Sequence, residues 1–220
     1  DPRGGSWTFT YDANHLMLTL TSPGGGTTTN TYDANGRVIK QVDPVGKTTS
    51  FAYSGDSASD AGGSTVMTDS HGNVTQYTYA DLELLTETHG FGTAGAATTT
   101  YTYDPNTLGV TSVTDANGDV TTNTYDANGN LLTGTDAFGD STTHTYNAAN
   151  QLTSTTSPLG EKTSYSYDGQ GNLTSVTDPL GNTTTYAHAD ASHPGDVTSV
   201  TDPGGRVTDF TYDADGDIAS

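Results

Sequence analysis

A chain that writes the same twenty-odd residues again and again folds as a stack of like units, and these 220 residues do so. The unit is clearest at residues 121–139, T-T-N-T-Y-D-A-N-G-N-L-L-T-G-T-D-A-F-G. A strand ends on Tyr125, and a turn follows at Asp126-Ala127-Asn128-Gly129. A second strand runs from Asn130 to Thr135, and a second turn falls at Asp136-Ala137-Phe138-Gly139. The tyrosine closing each unit is read at Tyr11, Tyr32, Tyr53, Tyr79, Tyr103, Tyr125, Tyr146, Tyr167, Tyr186 and Tyr212, which makes about ten units of 19–26 residues over 1–220.

Both turns share one chemistry. Asp or Ser at the first position accepts hydrogen bonds from the backbone two residues on, Pro or Ala at the second suits φ near −60°, and Gly at the fourth supplies φ > 0. The spacing therefore predicts a type I turn followed by a left-handed residue, closing a bulged hairpin. Gly36, Gly46, Gly118, Gly129, Gly139, Gly160, Gly171 and Gly181 are the glycines expected at φ > 0. A turn about every ten residues leaves strands of roughly six residues. Aromatic pairs two apart, such as Phe51/Tyr53, Tyr101/Tyr103 and Tyr165/Tyr167, put both rings on one face of a strand. No apolar period near 3.6 interrupts this pattern, so the expected fold is all-β, an antiparallel β-hairpin repeat array.

The motif Tyr32-Asp33-Ala34-Asn35-Gly36-Arg37-Val38 followed by Asp43-Pro44-Val45-Gly46 recurs as Tyr167-Asp168-Gly169-Gln170-Gly171-Asn172-Leu173 followed by Asp178-Pro179-Leu180-Gly181. It resembles the YD-repeat, or Rhs-repeat, family of bacterial Rhs and wall-associated proteins, toxin-complex C components and teneurins. The resemblance implies a ribbon that spirals into a shell or tube, extracellular or at the cell surface, and in some members a shell enclosing a toxic polypeptide. It implies a non-enzymatic scaffold whose partners are further copies or further repeats of the same array. The self-cleavage motif D-P-x-G-L of Rhs proteins is not matched, since Asp178-Pro179-Leu180-Gly181 is followed by Asn182 and Asp202-Pro203-Gly204-Gly205 by Arg206. The alternative is a module that holds carbohydrate at the cell wall on aromatic and Thr-rich faces, with a surface glycan as its partner.

Composition sets the remaining bounds. Apolar residues are 30% of the chain, too few for a core of ordinary size, and the net charge is −20. Twenty-six acids against six bases make nucleic acid a poor partner. No Cys is present, so disulfides are excluded, and no stretch is apolar enough for a helical membrane span. The chain opens and closes within repeats, which reads as a segment of a longer protein or assembly.

Site chemistry is sparse. A tyrosine repeated ten times reads as a structural ring rather than a catalytic one. Asp115-Ala116-Asn117-Gly118-Asp119 and Asp213-Ala214-Asp215-Gly216-Asp217 look like the start of a calcium loop, with Asp115, Asn117, Asp119, Asp213, Asp215 and Asp217 as the weak candidates for Ca²⁺. Gly is fourth rather than sixth and no twelfth-position Glu follows, so the hairpin-turn reading is preferred. His188 and His193 share a stretch with Asp190 and Asp196, but the spacing fits no compact metal motif. No constellation for an enzyme is found.

Overall fold

The computed structural model describes residues 5–56 and 62–219. Those residues form nineteen strands and no helix. The chain divides into two compact units, residues 1–102 with 113–119, and residues 103–112 with 120–220. The first carries β1 (Thr8–Tyr11), β2 (Met17–Thr21), β3 (Thr27–Tyr32), β4 (Val38–Val42), β5 (Thr48–Gly55), β6 (Gly63–Thr68), β7 (Val74–Ala80), β8 (Glu83–His89) and nearly all of β9 (Ala97–Tyr103). After β10 (Val110–Thr114), the second continues with β11 (Val120–Tyr125), β12 (Leu131–Thr135), β13 (Ser141–Tyr146), β14 (Leu152–Thr156), β15 (Lys162–Tyr167), β16 (Leu173–Thr177), β17 (Thr183–Ala187), β18 (Ser199–Thr201) and β19 (Val207–Asp209).

Within each unit the strands pair antiparallel with their sequence neighbours, β1 through β9 in one and β11 through β19 in the other. Such pairing needs only tight turns, which the repeat supplies at both ends of every strand. At Asp126, Gly129 N donates to Asp126 O (3.1 Å) and Asp126 N donates to Asn130 O (2.9 Å). The Asp126 carboxylate accepts from Asn128 N and Asn130 N, both at 2.9 Å. Gly129 sits at φ 84°, where a side chain would be strained. Gly36, Gly46, Gly118, Gly139, Gly160, Gly171 and Gly181 lie between 77° and 94°.

Four turns solve the same problem with other residues. His15 (φ 63°) and Asn150 (φ 61°) stand where glycine is expected. The β7–β8 hairpin closes on Asp81 and Leu82, both at positive φ, as a two-residue turn of the type that matches strand twist. The turn at Asp104 is one residue longer, with Asp104 N donating to Gly109 O and Leu108 at φ 58°. The insertion at 54–64 is expected to be a surface loop, but its flanks are strand: Ser54 pairs with Ser64 and Gly55 with Gly63, so the ladder simply lengthens. Its tip, 57–61, lies outside the described residues, as does the opening turn at 1–4.

Among the described residues no hydrophobic side chain is buried. The buried side chains are polar: Asn30, Thr75, Thr88 and Ser154. Stability must therefore come from ladder hydrogen bonds, half-buried rings and turn chemistry, shared over many like units, rather than from a central apolar core.

Candidate functional site

The strongest recurring geometry is a hydroxyl latch between successive repeats. In the hairpins closed by Tyr11, Tyr32, Tyr125, Tyr146 and Tyr167 the register slips by one residue just before the tyrosine. In the second turn of each unit it does not, as in the β12–β13 and β14–β15 pairs. The slip is a β-bulge, which unsettles the ladder and re-aims backbone groups. The carbonyl of the residue opposite the tyrosine is then taken by the phenol of the next repeat. Tyr32 Oη donates to Met17 O at 2.7 Å, Tyr53 Oη to Val38 O at 2.7 Å, Tyr146 Oη to Leu131 O at 3.0 Å and Tyr167 Oη to Leu152 O at 2.9 Å. Tyr125 Oη reaches Val110 O at 2.9 Å and Tyr212 Oη reaches Val197 O at 2.8 Å. Each bond spans fifteen residues, so each of these six units is tied to the one before it.

This geometry corrects the assignment of Tyr186. The residue fifteen positions after Leu173 is His188, and its Nε2 lies 2.9 Å from Leu173 O. His188 therefore holds the closing position, and Tyr186 is the first ring of its strand, paired with Val200. The step from Tyr167 to the closing residue becomes the regular 21 rather than 19. The 21-residue period marks position 188 in the sequence, with an imidazole where the other units have a phenol. His188 Nδ1 also faces Asp196 O at 3.2 Å, and His193 Nδ1 lies 3.3 Å from Asp190 Oδ2, so the two histidines serve this loop's own contacts.

A second tie runs along the turns. Asn130 Nδ2 donates to Asn150 Oδ1 (2.9 Å), Gln151 Nε2 to Gly171 O (2.8 Å) and Asn172 Nδ2 to Pro194 O (2.9 Å). The same side chains also complete their own turns, as Asn130 Nδ2 does on Asp126 Oδ2 at 2.8 Å. These donors hold the turn carboxyls below the usual carboxylate range. For Asp126 the Asn130 side-chain amide leads, followed by the Asn130 backbone N–H; for Asp168 the Asn172 backbone N–H leads.

The calcium candidates are engaged in the same way. Asp115 Oδ1 accepts from Asn117 N (2.8 Å) and Asp119 N (3.0 Å), and Asp213 Oδ1 from Asp215 N (2.9 Å) and Asp217 N (3.0 Å). Among the described residues no group of three or more His, Cys, Asp or Glu is arranged to hold a metal ion. No helix among them is long and apolar enough to cross a membrane.

The family model for the RHS Repeat matches residues 1–27, 32–65, 106–140, 125–162, 146–183, 167–193 and 195–220. The chain belongs to the RHS-repeat family. Its latch of tyrosine, bulge and carbonyl is how this RHS-repeat chain joins one unit to the next. Two similar solved structures are a crystal structure of TcdB2-TccC3 and one of TcdB2-TccC3 without its hypervariable C-terminal region. They share 17% and 16% sequence identity with it, each at a TM-score of 0.55 over 96% of this chain. At such identity the likeness is one of fold. The chain spans 14% of the length of each. No curated protein matches it. The RHS-repeat array is a repeat scaffold, built of ties between successive units.

Proposed function

We propose that this scaffold is a stretch of wall in a larger extracellular or surface-exposed assembly, non-enzymatic itself, that encloses a polypeptide cargo. The observation that carries the reading is the latch. A sheet with no buried hydrophobic residue among those described, tied unit to unit through phenol–carbonyl bonds, gains order by extension rather than by closing around a core of its own. Residues 1–220 then act as one array of a longer protein or assembly, and the partners are further repeats on either side of it. The likeness in fold to the TcdB2-TccC3 structures, each much longer than this chain, supports a wall that goes on beyond one segment. The test is limited proteolysis of the natural full-length product with mass spectrometry of the surviving fragments. A protected internal polypeptide that becomes sensitive when the repeats are unfolded supports enclosure. Uniform digestion of everything outside the repeats contradicts it.

A second reading rests on a different observation. Phe9 and Tyr11 in β1 and Trp7 just before it fall two residues apart and are 49%, 56% and 54% exposed. Such a row of open rings suits stacking on the faces of a cell-wall glycan. Glycan-array binding abolished by Trp7→Ala would favour adhesion; no binding to any glycan would remove this reading.

A further inference from the structure

The latch fails at the Tyr79 repeat, and a pocket stands where it fails. By the fifteen-residue rule the Tyr79 phenol should reach the Ser64 carbonyl. The β5–β6 hairpin, however, runs past the usual turn without a register slip, and Ser64 is paired on both sides, with Ser54 and with Thr78. Among the described residues the Tyr79 phenol has no hydrogen-bond partner, whereas the Tyr53 phenol keeps its bond to Val38 O. The lengthening also places Gly55 opposite Gly63 and Gly63 opposite Tyr79. Two positions without side chains therefore lie beside the Tyr79 ring.

The result is an open cavity of about 210 Å³ whose lining includes Tyr53, Tyr79, Arg37, Ser54, Ser64 and Thr65. The Arg37 guanidinium stacks on the Tyr53 ring, 4.4 Å from its centroid. Its Nε and Nη2 are held by Asp33 Oδ2, both at 2.8 Å, which leaves Nη1 unused. Ser54 and Ser64 satisfy each other at 2.9 Å. The groups left over, the Tyr79 hydroxyl and Arg37 Nη1, both offer hydrogen, and Thr65 can take either role. Burial, then the Glu87 charge, raises the Tyr79 phenol above its usual range, so it remains a donor near neutrality.

The ligand that complements two aromatic walls and surplus donors is apolar, ring-sized and rich in acceptors. The net charge of −20 and the pairing of Arg37 with Asp33 disfavour an anion. A sugar brings a donor with each hydroxyl, and the side-chain acceptors facing it here are hydroxyl oxygens alone, with no side-chain carboxylate or amide oxygen in the lining. A prolyl residue in an extended peptide brings a flat apolar ring, no N–H, and a carbonyl without an internal partner. We infer that the Arg37–Tyr53–Tyr79 pocket binds a prolyl residue of a polyproline II segment, with the Tyr79 hydroxyl donating to a peptide carbonyl. Aromatic-lined grooves recognise such segments in general.

The test uses the whole chain and N-acetylated, C-amidated octaproline as the probe. Binding is read by NMR shifts of the Tyr53 and Tyr79 ring signals and by fluorescence anisotropy of a labelled peptide. Octaproline should shift both rings. Tyr79→Phe, which keeps the ring and removes a hydroxyl that the fold does not use, should melt as the parent does and weaken binding roughly 2- to 10-fold, the worth of one hydrogen bond. Tyr146→Phe, at a residue that does not line the pocket, should leave binding unchanged. No ring shifts at millimolar peptide, unaltered affinity in Tyr79→Phe, or the same two rings answering to maltotriose and not to octaproline would each overturn the assignment.

Discussion

From β11 to β16 every hairpin closed by a tyrosine carries a bulge, and the residue closing the next unit (Tyr146, Tyr167 or His188) lands on the carbonyl across from it. From β5 to β7 the chain has the same rings, the same spacing of two and the same Thr-rich strands, yet the first hairpin runs straight through in register to Gly55↔Gly63. The tyrosine that follows it, Tyr79, loses its acceptor. The difference teaches that the ring is not what joins repeats. The joint is the coincidence of a ring with a bulge one hairpin earlier, so a few inserted residues convert a structural tyrosine into an unoccupied donor beside an open space.

The comparison can be broken most forcefully at the turns that set the register. Gly129 sits at φ 84° with the Thr107 Cβ as its nearest contact, 3.9 Å from where a side chain would begin. Gly129→Val should cost more than about 1 kcal/mol, because a β-branched residue is strained there even without a clash. By contrast Asn150, already a side chain at φ 61°, has a backbone that Gly suits but an Oδ1 that accepts from Asn130, so Asn150→Gly should cost less than Gly129→Val, within about 1 kcal/mol of the parent. Melting of the two variants side by side checks both. An undisturbed Gly129→Val would mean that the turn does not set the register.

A smaller effect is expected from pH. The Asp33, Asp69, Asp126, Asp168, Asp178 and Asp202 carboxyls all lie below their usual range. For Asp33 and Asp202 the Arg37 and Arg206 backbone N–H groups lead, and for Asp69 and Asp178 the side-chain amides of Asn73 and Asn182. A carboxyl depressed on folding contributes stability that is present above its unfolded value, near 3.9, and is lost as pH falls through its folded value. Melting temperature should therefore hold from neutral pH to about 5 and fall on acidification below about 4. A rise in that window would contradict the role given to the turn carboxylates. Added salt should raise the melting temperature modestly at neutral pH by screening the net charge of −20. The smallest effect belongs to the second row of turns. Phe138, Leu159 and Leu180 are 94%, 85% and 87% exposed, so Leu159→Ser should change stability by no more than about 0.5 kcal/mol.

The strands, the turns and the positive-φ glycines were legible because Asp-x-x-Gly chemistry is local: everything that Gly46 or Gly181 needs lies within five residues. The latch was not legible, since its acceptor is a backbone carbonyl fifteen residues away and no side chain marks it. His188 was hidden because an imidazole N–H does the work of a phenol. Leu82 and Leu108 at positive φ could not be foreseen, because neither residue type favours that region and only the closure of the hairpin demands it. The Tyr79 pocket lay further out of reach, as it depends on a register slip that fails to occur between β5 and β6.

Tyrosine hydroxyls such as that of Tyr146 tie one repeat to the next across the bulge that precedes them. Thermal melting of Tyr146→Phe and Tyr79→Phe against the parent tests it most directly. Each variant removes a single oxygen and keeps the ring. Loss of the Tyr146 hydroxyl leaves the Leu131 carbonyl without it and should cost about 1–2 kcal/mol, a fall of roughly 2–4 °C for each kcal/mol in a chain of this size. Loss of the Tyr79 hydroxyl should leave the melting temperature where it was. Equal falls in the two variants, or none in either, would contradict the latch.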